Sequence, residues 1–211
     1  MNPDTARWIL PLVAYLIGSI PIGWIVGKVF YHKDIRKEGS GNVGATNALR
    51  LFGTATGIGV LLLDMAKGFI ATLLAVKMLP AGSPFVALCA LLVILGHVFP
   101  IYLGFKGGKG VATAGGAFLA LAPSSLLVAI ITFVIIVFIT RYVSLGSIIA
   151  AMAFLFHALW RLLISGTSDY ASLLLITLVV LMIVLKHRSN LQRLFTKEEH
   201  KIRFTRKGHS S

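Results

Sequence analysis

Seven apolar runs alternate with short polar stretches along this chain. They fall at 8–30, 54–78, 85–103, 108–122, 124–141, 144–164 and 169–186, and a polar, basic tail follows over 187–211. A hydrocarbon core of about 30 Å needs roughly 20 apolar residues as helix. Backbone polar groups in lipid must be satisfied within their own segment, so helices are the expected form. The pattern predicts an all-α polytopic membrane protein: seven transmembrane helices in a single membrane-embedded domain, 1–211. Two runs are irregular. Pro11, Gly18, Pro21 and Gly23 predict a kink near Ser19-Ile20-Pro21 in the first. The apolar part of the fourth, 111–122, gives only about 18 Å of helix. It therefore includes residues from Gly107 onward or crosses part of the bilayer. The first run has a weak positive flank, Arg7, as a signal peptide would. It exceeds the usual signal length of about 7–15 apolar residues and further runs follow, so it reads as retained.

Charge sets the expected orientation. Of the 20 Lys and Arg, all but Arg7, Lys67, Lys77 and Arg161 fall around the first polar loop, the loop after the third run, the corner at Arg141, or the tail. The positive-inside tendency puts these segments in the cytoplasm and the N-terminus in the periplasm, which requires an odd number of spans. A net charge of +13 alone would suit nucleic acid. However, 57% of residues are hydrophobic, 13% are charged, and mean hydropathy is +0.89. That composition belongs to a membrane protein, and the basic residues form no soluble face, so lipid rather than nucleic acid is the expected surrounding. The single Cys89 lies in an apolar run and has no intrachain disulfide partner.

Two glycine-rich clusters stand between the runs. The first is Gly39-Ser40-Gly41-Asn42-Val43-Gly44-Ala45-Thr46-Asn47. The second follows Gly96-His97-Val98-Phe99-Pro100 and reads Phe105-Lys106-Gly107-Gly108-Lys109-Gly110-Val111-Ala112-Thr113. Glycines let successive N–H groups converge and lysines add charge, which together favour a phosphate. A basic loop touching lipid headgroups is the plainer reading of either cluster alone; two clusters in one small membrane protein suggest a shared site. They also share a Gly-x-x-x-Ala-Thr spacing, two solutions to one anion-binding problem. Candidate donors are Ser40, Asn42, Thr46, Asn47 and Arg50 in the first loop, and Lys106, Lys109 and the N–H groups of Gly107, Gly108 and Gly110 in the second. The tail adds Lys186-His187-Arg188-Ser189-Asn190 and Arg193. Asp64 and Lys67, three apart in the second run, share a helix face and form either a structural ion pair or a pair that lines or braces the polar site.

Several familiar chemistries are excluded. Gly39-x-Gly41-x-x-Gly44 imitates a dinucleotide fingerprint, but a membrane span precedes it instead of a strand. The second cluster fails the P-loop pattern. His97, His157 and His187 are dispersed and lack clustered carboxylates, so no metal or other cofactor is expected. No histidine has an aspartate five positions on, which removes the His-x-x-x-x-Asp acyltransferases.

These clusters, with Lys186-His187-Arg188-Ser189-Asn190 and Gln192-Arg193-Leu194, resemble the three motifs of the bacterial acyl-phosphate:glycerol-3-phosphate acyltransferase family (PlsY). The likeness covers almost the whole chain, including Asp64-x-x-Lys67-Gly68. In the tail, Lys197 stands where many members have glycine, and Glu199 matches the glutamate of the third motif. The resemblance implies a multi-pass enzyme of the bacterial inner membrane with a cytoplasmic active site. It would move a fatty acyl group from acyl phosphate to the 1-hydroxyl of glycerol 3-phosphate, and leaves room for functional coupling to an acyl-phosphate-producing enzyme. By analogy Ser40, Arg50, His187 and Asn190 serve catalysis. Asn42, Thr46, Asn47, Lys106, Gly107, Gly108, Lys109, Gly110 and Thr113 bind substrate phosphate, and Asp64, Lys67, Arg188 and Glu199 give structural support. The alternative from another class is a transporter or channel for an organic phosphate, which the broken first run and the intramembrane pair would suit. Against it, the polar clusters lie on one side only.

Overall fold

The computed structural model describes residues 3–165 and 170–202. Among these residues all regular structure is helical: α1 (Pro3–Ser19), α2 (Ile22–Tyr31), α3 (Ala45–Phe52), α4 (Thr54–Met78), α5 (Pro84–Val98), α6 (Val111–Leu121), α7 (Pro123–Thr140), α8 (Val143–Ser165), α9 (Tyr170–Lys186) and α10 (Arg188–Phe195). Five stretches are long and apolar enough to cross a membrane: Thr5–Tyr31, Thr54–Met78, Pro84–Leu103, Pro123–Thr140 and Val143–Ser165. α9 and α10, bent by 51°, make a sixth if taken as one. The fourth apolar run becomes α6, whose 11 residues span about 16 Å. The start of the seventh run, residue 169, and the tail beyond 202 lie outside the described residues.

The first run breaks where its sequence predicted, between Ser19 and Ile22. Pro21 has no N–H and ends α1. At the break the Ile20 carbonyl accepts from the Ile22 N–H at 3.1 Å and from Lys67 Nζ at 2.8 Å. The same ammonium sits 2.8 Å from Asp64 Oδ1, and His97 Nδ1 lies 3.4 Å from that oxygen. All three side chains are buried. The i,i+3 pair on α4 thus ties the broken first run to α5.

α4 packs chiefly on α6, and α1 on α5. The α4–α6 contact depends on two glycines facing opposite backbones. A Cβ on Gly68 would lie 2.1 Å from the Thr113 carbonyl oxygen, and one on Gly116 would lie 1.9 Å from that of Met65. Small residues permit such approach where lipid offers no hydrophobic drive for helix association. α7 packs on α8, and Leu, Ile and Phe side chains along α4, α7 and α8 stay exposed, as a lipid-facing surface requires. A smaller apolar cluster of Ile35, Val43, Ala48 and Val60 seats the first loop on α4.

Removing Lys67 alone leaves Asp64 buried with half its partners and takes one of two donors from the Ile20 carbonyl. Lys67→Met is expected to destabilise the fold by about 3–5 kcal/mol, while Asp64→Asn combined with Lys67→Met loses less. Unfolding of both variants in detergent micelles measures this; equal losses contradict a buried pair.

Candidate active site

The first loop is built around Asn47. Its Nδ2 shares two hydrogens among the carbonyls of Ile35, Glu38 and Asn42 at 3.0–3.1 Å, and its Oδ1 accepts from the Ser40 N–H at 2.9 Å. Asn42 Oδ1 accepts from the Gly44 N–H at 2.8 Å, closing the turn ahead of α3. Gly44 is the N-cap of α3, and Gly110, with φ +84°, is the N-cap of α6. The shared Gly-x-x-x-Ala-Thr spacing therefore ends each time in the first turn of a helix. N–H groups there lack intrahelical partners and carry the positive end of the helix dipole.

Both N-termini border one pocket of about 140 Å³. Ser40, Asn42, Thr46, Asn47 and Arg50 line it from the first loop and α3, and Lys109, Gly110, Val111 and Ala112 from the second loop and α6. His187, Asn190 and Glu199 close it from the tail, and Asp64 reaches it from α4. Next to it runs an apolar groove of about 320 Å³ between α4, α6, α7, α8 and α9; Leu61, Val111, Ala112, Phe133 and Ser147 belong to both.

The continuous glycine cradle expected at Gly107 to Gly110 is corrected. The N–H of Gly107 donates to the Val98 carbonyl at 3.2 Å and that of Gly108 to the His97 carbonyl at 3.1 Å, so neither is free for phosphate. Gly108 lies against the His97 ring instead, where a Cβ would approach Nε2 to 2.1 Å. Thr113 is fully buried in α6, outside the pocket lining. Lys106 and Arg188 are exposed and also stand outside it, as does Lys67. The second cluster reaches the pocket one step further along the chain, through Lys109 and the start of α6.

The tail reaches back as a strap. Glu199, 7% exposed, accepts from Ser144 Oγ at 3.0 Å, Asn190 Nδ2 at 2.8 Å and Arg193 Nε at 2.8 Å. Asn190 Oδ1 accepts in turn from Lys109 Nζ, and Arg50 donates to the His200 carbonyl at 3.5 Å. Burial alone would raise the Glu199 carboxyl, but the bonds from Asn190, Arg193 and Ser144 hold it below the ordinary range. His187 Nδ1 donates to the Ile183 carbonyl at 2.8 Å, which leaves Nε2 with the lone pair in the neutral ring. The strap is aimed by the end of α10. The Glu198 N–H donates to the Arg193 carbonyl at 2.8 Å and that of Lys197 to Leu194 at 3.3 Å, the two bonds of a Schellman ending. Such an ending needs a left-handed residue, and Lys197 adopts φ +60°.

Sequence reasoning missed His97 as a partner of Asp64, and Ser144 and Ser147 as pocket residues. His97 stood inside a motif already singled out; the serines sit in an ordinary apolar run and carry no local signal.

A family model described as "Glycerol-3-phosphate acyltransferase" matches residues 8–197. Glycerol-3-phosphate acyltransferase 2 of Bacillus anthracis is 44% identical over 191 residues, covering 90% of this chain and 96% of that protein. The chain belongs to the glycerol-3-phosphate acyltransferase family. A glycerol-3-phosphate acyltransferase of Staphylococcus aureus is 43% identical over 204 residues, covering 93% of this chain and 98% of the relative. Two crystal structures of PlsY (YgiH), an integral membrane glycerol 3-phosphate acyltransferase, are similar across 94% of this chain and 96% of theirs. The glycerol 3-phosphate form has TM-score 0.86 at 39% identity, and the lysophosphatidic acid form 0.83 at 38%. This chain is likewise a multi-pass integral membrane protein.

Two outcomes follow from the strap. Because the folded pKa of Glu199 is lowered, its contribution is complete above the ordinary glutamate value of about 4.3 and disappears as pH falls through the folded value. Limited proteolysis of the tail should thus accelerate only in acid, and Glu199→Ala should show that cleavage at neutral pH. Lys197→Gly removes the left-handed penalty, about 1 kcal/mol, and should slow amide exchange across 196–202; faster exchange contradicts the Schellman ending.

Proposed function

We propose that this protein transfers a fatty acyl group from acyl phosphate to the 1-hydroxyl of glycerol 3-phosphate, releasing lysophosphatidic acid and inorganic phosphate. The observation carrying this reading is the junction of the polar pocket, bordered by two helix N-termini with Arg50 and Lys109, and the apolar groove beside it. One space suits phosphate, the other a hydrocarbon chain. The relatives' names supply the acceptor and reaction class; the donor is our assignment.

The glycerol hydroxyl attacks the acyl carbonyl carbon, the carbon–oxygen bond to phosphate breaks, and phosphate leaves with the electron pair. The hydroxyl proton passes to a substrate phosphate oxygen or to His187 Nε2. Acyl phosphate is already activated, so the protein need only place the substrates and stabilise charge. Arg50, Lys109 and the N–H groups opening α3 and α6 face the phosphates. Asn42 and Asn47 shape the loop that presents Ser40, Thr46 and Arg50, and Asn190 with Glu199 holds Lys109 in place. Ser40 as an acylated nucleophile needs an activating base, and among the described residues its hydroxyl has no imidazole partner. The transporter reading does not account for the family membership.

We further assign seven spans in one catalytic domain, with α6 as a short span together with the loop that precedes it. The N-terminus is periplasmic, the tail cytoplasmic, and the membrane is the bacterial inner membrane. Support comes from the charge asymmetry and from the basic pocket lying at the loops rich in Lys and Arg. A C-terminal reporter should be active only in its cytoplasmic form; periplasmic activity overturns the orientation.

The donor is tested with purified protein and labelled glycerol 3-phosphate. Acyl phosphate is expected to yield lysophosphatidic acid, whereas acyl-CoA and acyl carrier protein yield none. Comparable product from acyl-CoA contradicts the assignment, and no product from any donor returns the transporter.

A further inference from the structure

The apolar groove ends at a pair of rings. Phe118 of α6 and Phe154 of α8 are each 4% exposed, with centroids 4.5 Å apart at an interplanar angle of 36°. A second cavity, about 450 Å³, lies beyond them. Four helices, α6 to α9, pass from one space to the next in order. On α8 the groove takes Ala150 and Phe154, and the far cavity begins at Ala158; on α9 the groove takes Val179 and the cavity Ile176. About one helical turn, roughly 5 Å, separates the spaces on these two helices. On α7 the cavity's Ser125 adjoins the groove's Leu126, and on α6 Phe118 lines both.

This layout bears on the acyl chain, and the inference rests on the proposed donor. From Val111, where groove and pocket meet, to Phe118 is seven residues, about 10 Å of helix. Bonds of about 1.5 Å at near-tetrahedral angles advance an extended chain by about 1.3 Å per carbon, so roughly eight carbons reach the rings. The rest must leave sideways past Leu61 and Ile130, which are 39% and 45% exposed toward lipid. We infer that the Phe118–Phe154 pair is a stop that limits how much of the acyl chain the protein holds, and thereby determines chain-length selectivity. Carbons short of the stop meet fixed walls at packing distance, and carbons past it meet fluid lipid. Selectivity is confined to the first group.

Two substitutions move the stop in opposite directions. Phe118→Ala joins the groove to the far cavity. Gly115→Leu fills the groove above the rings; a Cβ there meets only Met65 Cε at 3.9 Å and Leu126 Cδ1 at 4.0 Å, ordinary contact distances. The experiment measures kcat/KM for saturated acyl phosphates of increasing length with the wild type and both variants. The wild-type profile should rise to about eight carbons and flatten beyond. Phe118→Ala should carry the rise to longer chains, raising the long-to-short ratio several-fold, and Gly115→Leu should lower that ratio several-fold. Profiles parallel to wild type in both overturn the inference. Should Phe118→Ala fail to give a monodisperse protein, Phe118→Leu and Gly115→Leu decide by the same ratio. A wild type inactive with every acyl phosphate refutes the donor assignment itself, whereas an active wild type with unchanged variant profiles refutes only the stop.

Discussion

The buried contact among Lys67, Asp64 and His97 is the constraint on which the site depends. Lys67 sits 2.8 Å from both the Ile20 carbonyl and Asp64, so one ammonium repairs the proline break in the first run and neutralises a carboxylate at membrane depth. Asp64 in turn orients His97. The His97 carbonyl receives the Gly108 N–H, and its ring packs on the Gly108 backbone. The second loop is therefore fixed from beneath, and Lys109 and the start of α6 take their places at the pocket. A buried ion pair contributes little net stability against apolar replacements; its value here is positional.

Above that foundation, the pocket combines fixed partial charges with full ones. Two helices open toward it, α3 at Gly44 and α6 at Gly110, with Arg50 and Lys109 alongside. Bringing cations and dipole ends together is costly without counter-charge, and Glu199 supplies it through Asn190 and Arg193. The carboxylate is held by donors from α8 and the tail, so it offsets the basic pocket from its edge.

Much of this was legible in the chain, for physical reasons. Helices follow from hydropathy, the kink from Pro21, and the Asp64–Lys67 pair from i,i+3 spacing, all local properties. The motifs mark two loops that border one pocket, yet glycine content does not tell which N–H groups are free. Gly107 and Gly108 are glycines because a backbone and an imidazole press on them, a packing demand that looks the same in sequence as a phosphate demand. Ser144 and Ser147 were hidden because two small hydroxyls in an apolar run report nothing until the tail folds over them. Lys197 carries the reverse lesson: a left-handed position of the kind that favours glycine is held here by a lysine.

The most direct test of the account is a crystal structure of this chain with glycerol 3-phosphate bound. Phosphate oxygens should accept hydrogen bonds from N–H groups in the first turn of α3 or α6, with Lys109 or Arg50 alongside, and the 1-hydroxyl should point toward the groove. Phosphate lying instead against Lys106 and Gly107, outside the pocket, would contradict it.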